Sequence, residues 1–275
     1  MQVRTGLSVP EGYGVSFDDA VEIASQAECD FVEVLFDGRA RPERVDATLG
    51  AALDDADGVG LVAHLPFTVP VWSPFDAQRR GCLETHRACL DAAAALDAEA
   101  AVVHPSHAAM GDAYDEPTIV DGVLESLTEL HAYGDRLGVD VCVENVQSGP
   151  FTLDGLARVV DGTPAGLVVD TGHARVSGHG DERLAEFVAD HRDRIEHVHL
   201  NDTRGPSDEH LPLGVGTVDF RSVLGALGPT WTGRLCAEVI TGDRRALERS
   251  LDRLTTYVAE HRDERDFETD AERRD

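Results

Sequence analysis

Residues 139–170 read VDVCVENVQSGPFTLDGLARVVDGTPAGLVVD, one strand–helix–strand unit. The runs VDVCVEN (139–145) and AGLVVD (165–170) are short, apolar and valine-rich, as strands covered on both faces are. Between them, 152–161 has helical spacing, and Thr152 stands where an N-cap is expected. Both strands close on an acid. Glu144 lies two positions after Cys142, and Asp170 two positions after Val168. Side chains two apart share a strand face. Each strand therefore points an apolar residue and then a carboxylate in the same direction, with the carboxylate at its C-terminal end.

The pattern extends in both directions. Further strands are expected at QVRTGLS (2–8), FVEVLF (31–36), VGLVAHL (59–65), AAVVHP (100–105), IEHVHL (195–200) and RLCAEVI (234–240). Helices are expected near 16–28, where Ser16 caps FDDAVEIA, and near 42–56, 76–98, 117–137, 181–193, 218–227 and 242–261. Strict alternation of eight such units in 275 residues predicts an α/β fold made of a single (β/α)8 TIM barrel rather than an open doubly wound sheet. The barrel is expected to span 1–261, and the charged segment 262–275 to fray as a C-terminal tail.

The strand ends carry the chemistry. His64, His104, Glu144, Asp170, His199 and Glu238 each follow, by two positions, an inward candidate: Val62, Val102, Cys142, Val168, His197 and Cys236. All six would point inward at the C-terminal mouth, where barrel active sites lie. Buried carboxylates without partners are costly, and a shared cation removes that cost while attracting imidazoles. The loop HLNDTRGPSDEHLPLGVG (199–216) adds Asp208 and His210, and DTGH adds His173. Gly214 and Gly216 would let that loop turn back over the mouth. Mixed imidazole and carboxylate donors suit zinc, manganese and related divalent ions. His107 and His179 are placed near the mouth, and His197 beneath the ligands. His86, His131, His191 and His261 fall in helical stretches and are expected to be solvated. Arg204 is a candidate for a substrate hydroxyl or phosphate.

Composition restricts the partners. The formal charge is −28, and all 24 basic residues are arginine, so no lysine Schiff base can form. Acids spread along the whole chain, as in proteins of salt-accumulating halophiles. That charge disfavours non-specific nucleic-acid binding, although salt weakens the objection. No apolar run is long enough to span a membrane. The opening MQVRTGLSVPEGYG lacks the basic-then-apolar profile of a signal peptide, so a cytoplasmic protein is expected. The five cysteines form no CxxC pair and read as buried reduced thiols. The sequence leaves homo-oligomerisation open.

The pieces HLPF, VVHPSH, VENV, VVDTGHARVSG, HVHLND, DEHLPLGVG and AEV occur in order across roughly residues 30 to 240. Together they resemble the xylose-isomerase-like barrel superfamily. That group holds sugar and sugar-phosphate isomerases and epimerases, and also the endonuclease IV type of abasic-site nuclease. In the isomerases, the resemblance implies one divalent ion on Glu144, Asp170, His199 and Glu238. The two glutamates then exchange a proton with a sugar or sugar phosphate through an enediolate, with His173 on the developing oxyanion. In the nuclease, it implies three zinc ions: His64 and His104 share Glu144 with the first ion, and His173, Asp208 and His210 hold a third. All nine positions carry acceptable ligands. FVEVLF with Glu33 resembles the second strand of the sugar-isomerase branch, and Glu33 joins Arg204 and His107, read from their own positions, as expected substrate contacts. The expected activity is a metal-dependent isomerase or epimerase using one to three divalent ions, zinc or manganese. The alternative is a zinc phosphodiesterase cleaving abasic-site DNA.

Overall fold

The eight valine-rich runs form strands, and each strand pairs in parallel with the next. The structure is a computed structural model that describes residues 3–9, 14–45, 49–56, 58–110 and 113–272, the side chains of 262–272 excepted. The strands are β1 (Arg4–Val9), β2 (Phe31–Leu35), β3 (Gly60–His64), β4 (Ala100–Val103), β5 (Asp140–Glu144), β6 (Gly166–Asp170), β7 (Ile195–Leu200) and β8 (Arg234–Glu238). They close into one barrel, with β8 paired to β1.

The helices are α1 (Phe17–Gln26), α2 (Ala51–Asp54), α3 (Asp76–Ala95), α4 (Glu116–Leu137), α5 (Leu156–Gly162), α6 (Thr171–Val176), α7 (Asp181–His191), α8 (Phe220–Leu227) and α9 (Arg244–Glu272). The final helix carries the backbone to Glu272. The side chains of 262–272, and residues 273–275 at the end of the expected tail, lie outside the described residues.

The barrel interior is a small apolar plug of Phe31, Val62, Ala100, Val102, Cys142, Val168 and Cys236. The inward partners read from the period-two pairs are all in it except His197. The larger core lies between the strands' outer faces and the helices. Gly6 on β1 makes room for the plug, since a Cβ there would sit 2.3 Å from the Phe31 ring. No described helix is long and apolar enough to cross a membrane.

Local departures from the expected elements have physical reasons. Ser16 caps α1 through a reciprocal capping box with Asp19. Thr152 holds the N-cap position but makes no side-chain cap bond, and the chain first turns as a 3-10 segment at Leu153–Gly155 before entering α5. Where one helix was expected at 42–56, α2 covers only Ala51–Asp54, and residues 46–48 and 57 lie outside the described set. All five cysteines are buried and free, as expected.

His86 is a correction. It is buried against the barrel, its Nε2 3.0 Å from the Val69 carbonyl. His131, His191 and His261 are half-buried. Burial pushes the His86 imidazole down to about 4, partly offset by its bond to Val69. The folded state thus resists a proton that the unfolded chain accepts near 6.5. Stability from this group is complete above pH 6.5 and is lost as pH falls towards 4, by about 3 kcal/mol in all. Denaturant unfolding from pH 7 to 4 at constant high salt, on wild type and His86→Leu, measures it. The variant is expected to lose less stability over that window, and identical slopes would refute the assignment.

Candidate metal centre

Three ligand groups meet at the C-terminal mouth: His64, His104 and Glu144; Glu144, Asp170, His199 and Glu238; and His173, Asp208 and His210. Within each group, one donor atom per residue lies within 4.8 Å of the others. Six of these residues come from strand ends or the position just after, as the period-two pairs require. In the β6–β7 ladder the register shifts between Leu167 and Val168, and Asp170 then falls opposite His199.

The other three ligands arrive by local turns. Asp170 caps the one-turn helix α6 by accepting the His173 N–H, which bends His173 back over the strand it follows. Asp202 and Leu211 exchange backbone bonds of 3.2 and 2.8 Å, so the segment between them doubles back and carries Asp208 and His210 to the mouth. The Asp202 carboxylate accepts from Gly216 N at 2.8 Å and Val218 N at 3.0 Å and closes the loop. A Cβ on Gly216 would sit 2.3 Å from that carboxylate, which explains the glycine. His210 has φ +43°, a left-handed conformation uncommon for a non-glycine residue and frequent at sites where geometry matters more than comfort.

The protonation pattern fits a cation. His64 Nδ1 donates to the Leu65 carbonyl at 2.9 Å, and His173 Nδ1 donates to the Asn145 carbonyl at 2.8 Å. His199 Nε2 donates to Glu33 at 3.0 Å. In each ring the remaining nitrogen faces a carboxylate: His64 Nε2 lies 3.3 Å from Glu144, His173 Nε2 3.1 Å from Asp208, and His199 Nδ1 3.2 Å from Glu144 and 3.4 Å from Glu238. Each such nitrogen must either carry a proton or share a cation with the carboxylate it faces. Asp208 Oδ1 and His210 Nδ1 are buried with no hydrogen-bond partner, although His210 Nδ1 lies 3.4 Å from Glu238. The donor set and these orphaned atoms fit divalent ions.

The field inside the mouth is strongly negative. Burial alone would lower His210, but Glu238, Asp208 and Asp170 outweigh it and push the ring up to about 9. His173 and His199 are also held well above the usual imidazole range, despite burial, by their carboxylate neighbours. Burial, reinforced by Glu238 and Glu144, pushes Asp170 up to about 8. Asp208 goes the other way: burial would raise it, but bonds from His173 and His210 hold it well below the carboxylate range. A field that retains protons this strongly also attracts cations.

Above the ligands lies a cavity of about 300 Å³. Its walls include His64, His104, His173, Asp208, His210 and Glu238, with Leu35, Phe67 and Ile240 as an apolar side. Gln147 also lines it and was not foreseen. Asn145 and Asn201 were missed as well. Asn145 bonds both backbone groups of Asp170, at 2.7 and 3.0 Å, and Asn201 Nδ2 donates to Asp170 at 2.6 Å and Glu238 at 3.4 Å. Their positions directly after Glu144 and two after His199 are the only sequence signal.

The expected substrate contacts are placed elsewhere. Glu33 is fully buried beneath the ligands and holds His199. Arg204 is exposed and pairs with Glu209 at 3.1 Å. His107 is tied to the Trp72 backbone bridge and accepts from Ala109 N. None of the three lines the cavity. His179 sits between Ser177 and Asp154, also away from it.

The profile of the xylose isomerase-like TIM barrel family matches residues 21–257. The chain belongs to this family. Among relatives, the uncharacterized protein MJ1311 of Methanocaldococcus jannaschii is 30% identical over 183 residues, 62% of this chain. The match spans 61% of MJ1311's own length. A protein of Mycobacterium leprae named "Probable endonuclease 4" is 27% identical over 229 residues, 78% of this chain and 87% of its own. Among solved structures, a D-tagatose 3-epimerase-like protein superposes with a TM-score of 0.81 at 24% identity, covering 95% of this chain and 99% of its own. This xylose isomerase-like barrel thus has relatives named "Probable endonuclease 4" and shares its fold with a D-tagatose 3-epimerase-like protein.

Proposed function

We propose that this xylose isomerase-like barrel is a metal-dependent phosphodiester hydrolase with a three-ion centre. The observation that carries the proposal is the third group, His173, Asp208 and His210, which opens onto the same cavity as the first two. A proton-transferring isomerase needs one ion on the four-ligand group, with His173 on the oxyanion, and does not need Asp208 and His210 to hold a further ion. When bound, divalent ions supply Lewis-acid charge to phosphoryl oxygens and make water nucleophilic at neutral pH.

The chain's own residues do the rest. Glu144 joins two of the groups and fixes their spacing. Asn145 and Asn201 hold Asp170 and Glu238 in place. Leu35, Phe67 and Ile240 offer an apolar wall for the organic part of an ester and exclude water from that side. Among the described residues no arginine lines the cavity, so neutralising the phosphate falls to the ions. The name "Probable endonuclease 4" on a relative makes abasic-site DNA one substrate to test, beside small organic phosphodiesters.

The test is an assay in high potassium chloride with zinc or manganese, on bis(4-nitrophenyl) phosphate and on an abasic-site duplex. Cleavage of either that is abolished by chelator supports the proposal. The second reading, a sugar isomerase or epimerase, is favoured by Glu144 and Glu238 facing His199 Nδ1 at 3.2 and 3.4 Å. It gains the upper hand if metal-loaded protein cleaves neither ester but exchanges a sugar's carbon-bound proton with deuterium oxide.

Removing the ions is also expected to lower stability, because Glu144, Asp170 and Glu238 are then left close together in the barrel mouth. Ions present at a thousandfold over their Kd stabilise by about 4 kcal/mol each. Thermal unfolding with and without chelator, and after zinc is restored, measures it. An unchanged Tm would argue against bound ions.

A further inference from the structure

A second cluster of metal-liking side chains lies one layer below the mouth and contributes no ligand to the centre described above. Glu33 on β2, His197 on β7 and Cys236 on β8 each place a donor atom within 4.8 Å of the others. The strand register sets their depth. Glu33 pairs with Val62, whereas Leu35 pairs with His64, so Glu33 sits two residues below the mouth on its strand.

All three are sealed, with exposures of 0%, 1% and 0%. The plug around them is apolar: Phe31, Val62, Val102 and Val168 share the interior, and the Phe31 ring lies 5.6 Å from that of His197. Neither nitrogen of His197 has a hydrogen-bond partner, whereas Glu33 Oε1 lies 3.0 Å from His199 Nε2. His197 Nε2 does approach Glu33 Oε2 at 3.3 Å, but without the geometry of a hydrogen bond. Buried polar atoms left unpaired in an apolar interior are rare, because each loses its bonds to water and gains nothing. Here an imidazole without any hydrogen bond stands beside a carboxylate and a thiol.

We propose that Glu33, His197 and Cys236 form a separate, buried zinc site beneath the mouth. Imidazole, thiolate and carboxylate together are a zinc donor set. The nine residues of the mouth contain no cysteine, so the two sites differ in chemistry as well as depth. Glu33 connects them. His199 Nε2 lies 3.0 Å from both of its oxygens and donates to the carboxylate, which keeps His199 Nδ1 turned towards the mouth, while Oε2 also faces His197 Nε2 at 3.3 Å on the side of the deep site. The site is thus a positioning device for a mouth ligand and is independent of which reaction the mouth performs.

The thiolate gives a signature that the mouth cannot produce. Protein made in zinc-depleted, cobalt-supplemented medium takes up ions while it folds. Its near-ultraviolet spectrum is expected to show a cobalt–thiolate charge-transfer band. That band should vanish in Cys236→Ser, with the loss of one ion per chain by elemental mass spectrometry, and persist in Cys142→Ser, a control thiol in the same plug. X-ray absorption of the zinc-loaded wild type, which needs no variant, should contain a sulfur shell at about 2.3 Å. No thiolate band and no sulfur shell in metal-loaded wild type would overturn the proposal, as would a band unchanged in Cys236→Ser. Neither failure would touch the hydrolase reading, whose ligands are oxygen and nitrogen only.

Discussion

Replacing Glu144 by alanine is expected to lower turnover roughly 10³-fold, the upper end of the range of about 10²- to 10³-fold seen when one fixed electrostatic group is lost from a reaction centre. The reason is its double membership. Its Oε2 faces His104 at 2.9 Å and His64 at 3.3 Å, and its Oε1 faces His199 at 3.2 Å and His173 at 3.3 Å. One substitution therefore weakens two ligand groups and leaves four imidazoles without their common acceptor. Ion content should fall together with kcat, and Glu144→Gln, which keeps the shape and loses the charge, should resemble alanine. Steady-state kinetics and elemental analysis on variants checked for fold by circular dichroism provide the measurement. Near-normal turnover with all ions retained would remove Glu144 from the centre.

His210→Ala has the second largest expected effect and separates the two functional readings. His210 belongs only to the third group, and its Nε2 shares Asp208 with His173 at 3.1 Å. In a three-ion hydrolase, losing it should reduce phosphodiester cleavage about 10²-fold. In a single-ion isomerase, Glu144, Asp170, His199 and Glu238 remain intact, and proton exchange on a sugar should survive. A variant that cleaves phosphodiesters as fast as wild type would leave the third group without a role in hydrolysis.

Much of the barrel is legible because strand periodicity is a local property. Val168 followed by Asp170, or Val62 followed by His64, states both that a strand is present and which end faces the mouth, and the plug residues bear this out. Depth is not local. Glu33 points inward as alternation requires, but only the stagger between β2 and β3 puts it level with Val62 rather than His64. That is why it reads as a substrate contact and stands beneath the ligands. The same holds for the asparagines: an amide's role depends on the partner that tertiary packing brings to it, and Asn145 meets Asp170 across 25 positions of sequence. Helix α6 is too short for periodicity to reveal. His86 shows the opposite failure, since helical spacing locates α3 without saying that this histidine is on its inner face.

Anomalous diffraction at the zinc edge, from crystals grown at high salt without chelator, tests the central claim most directly. The account predicts three peaks at the mouth: between His64, His104 and Glu144; among Glu144, Asp170, His199 and Glu238; and between His173, Asp208 and His210. A single peak on the four-ligand group, with the other two groups bare in zinc-saturated crystals, would contradict it and return the chain to a one-ion isomerase.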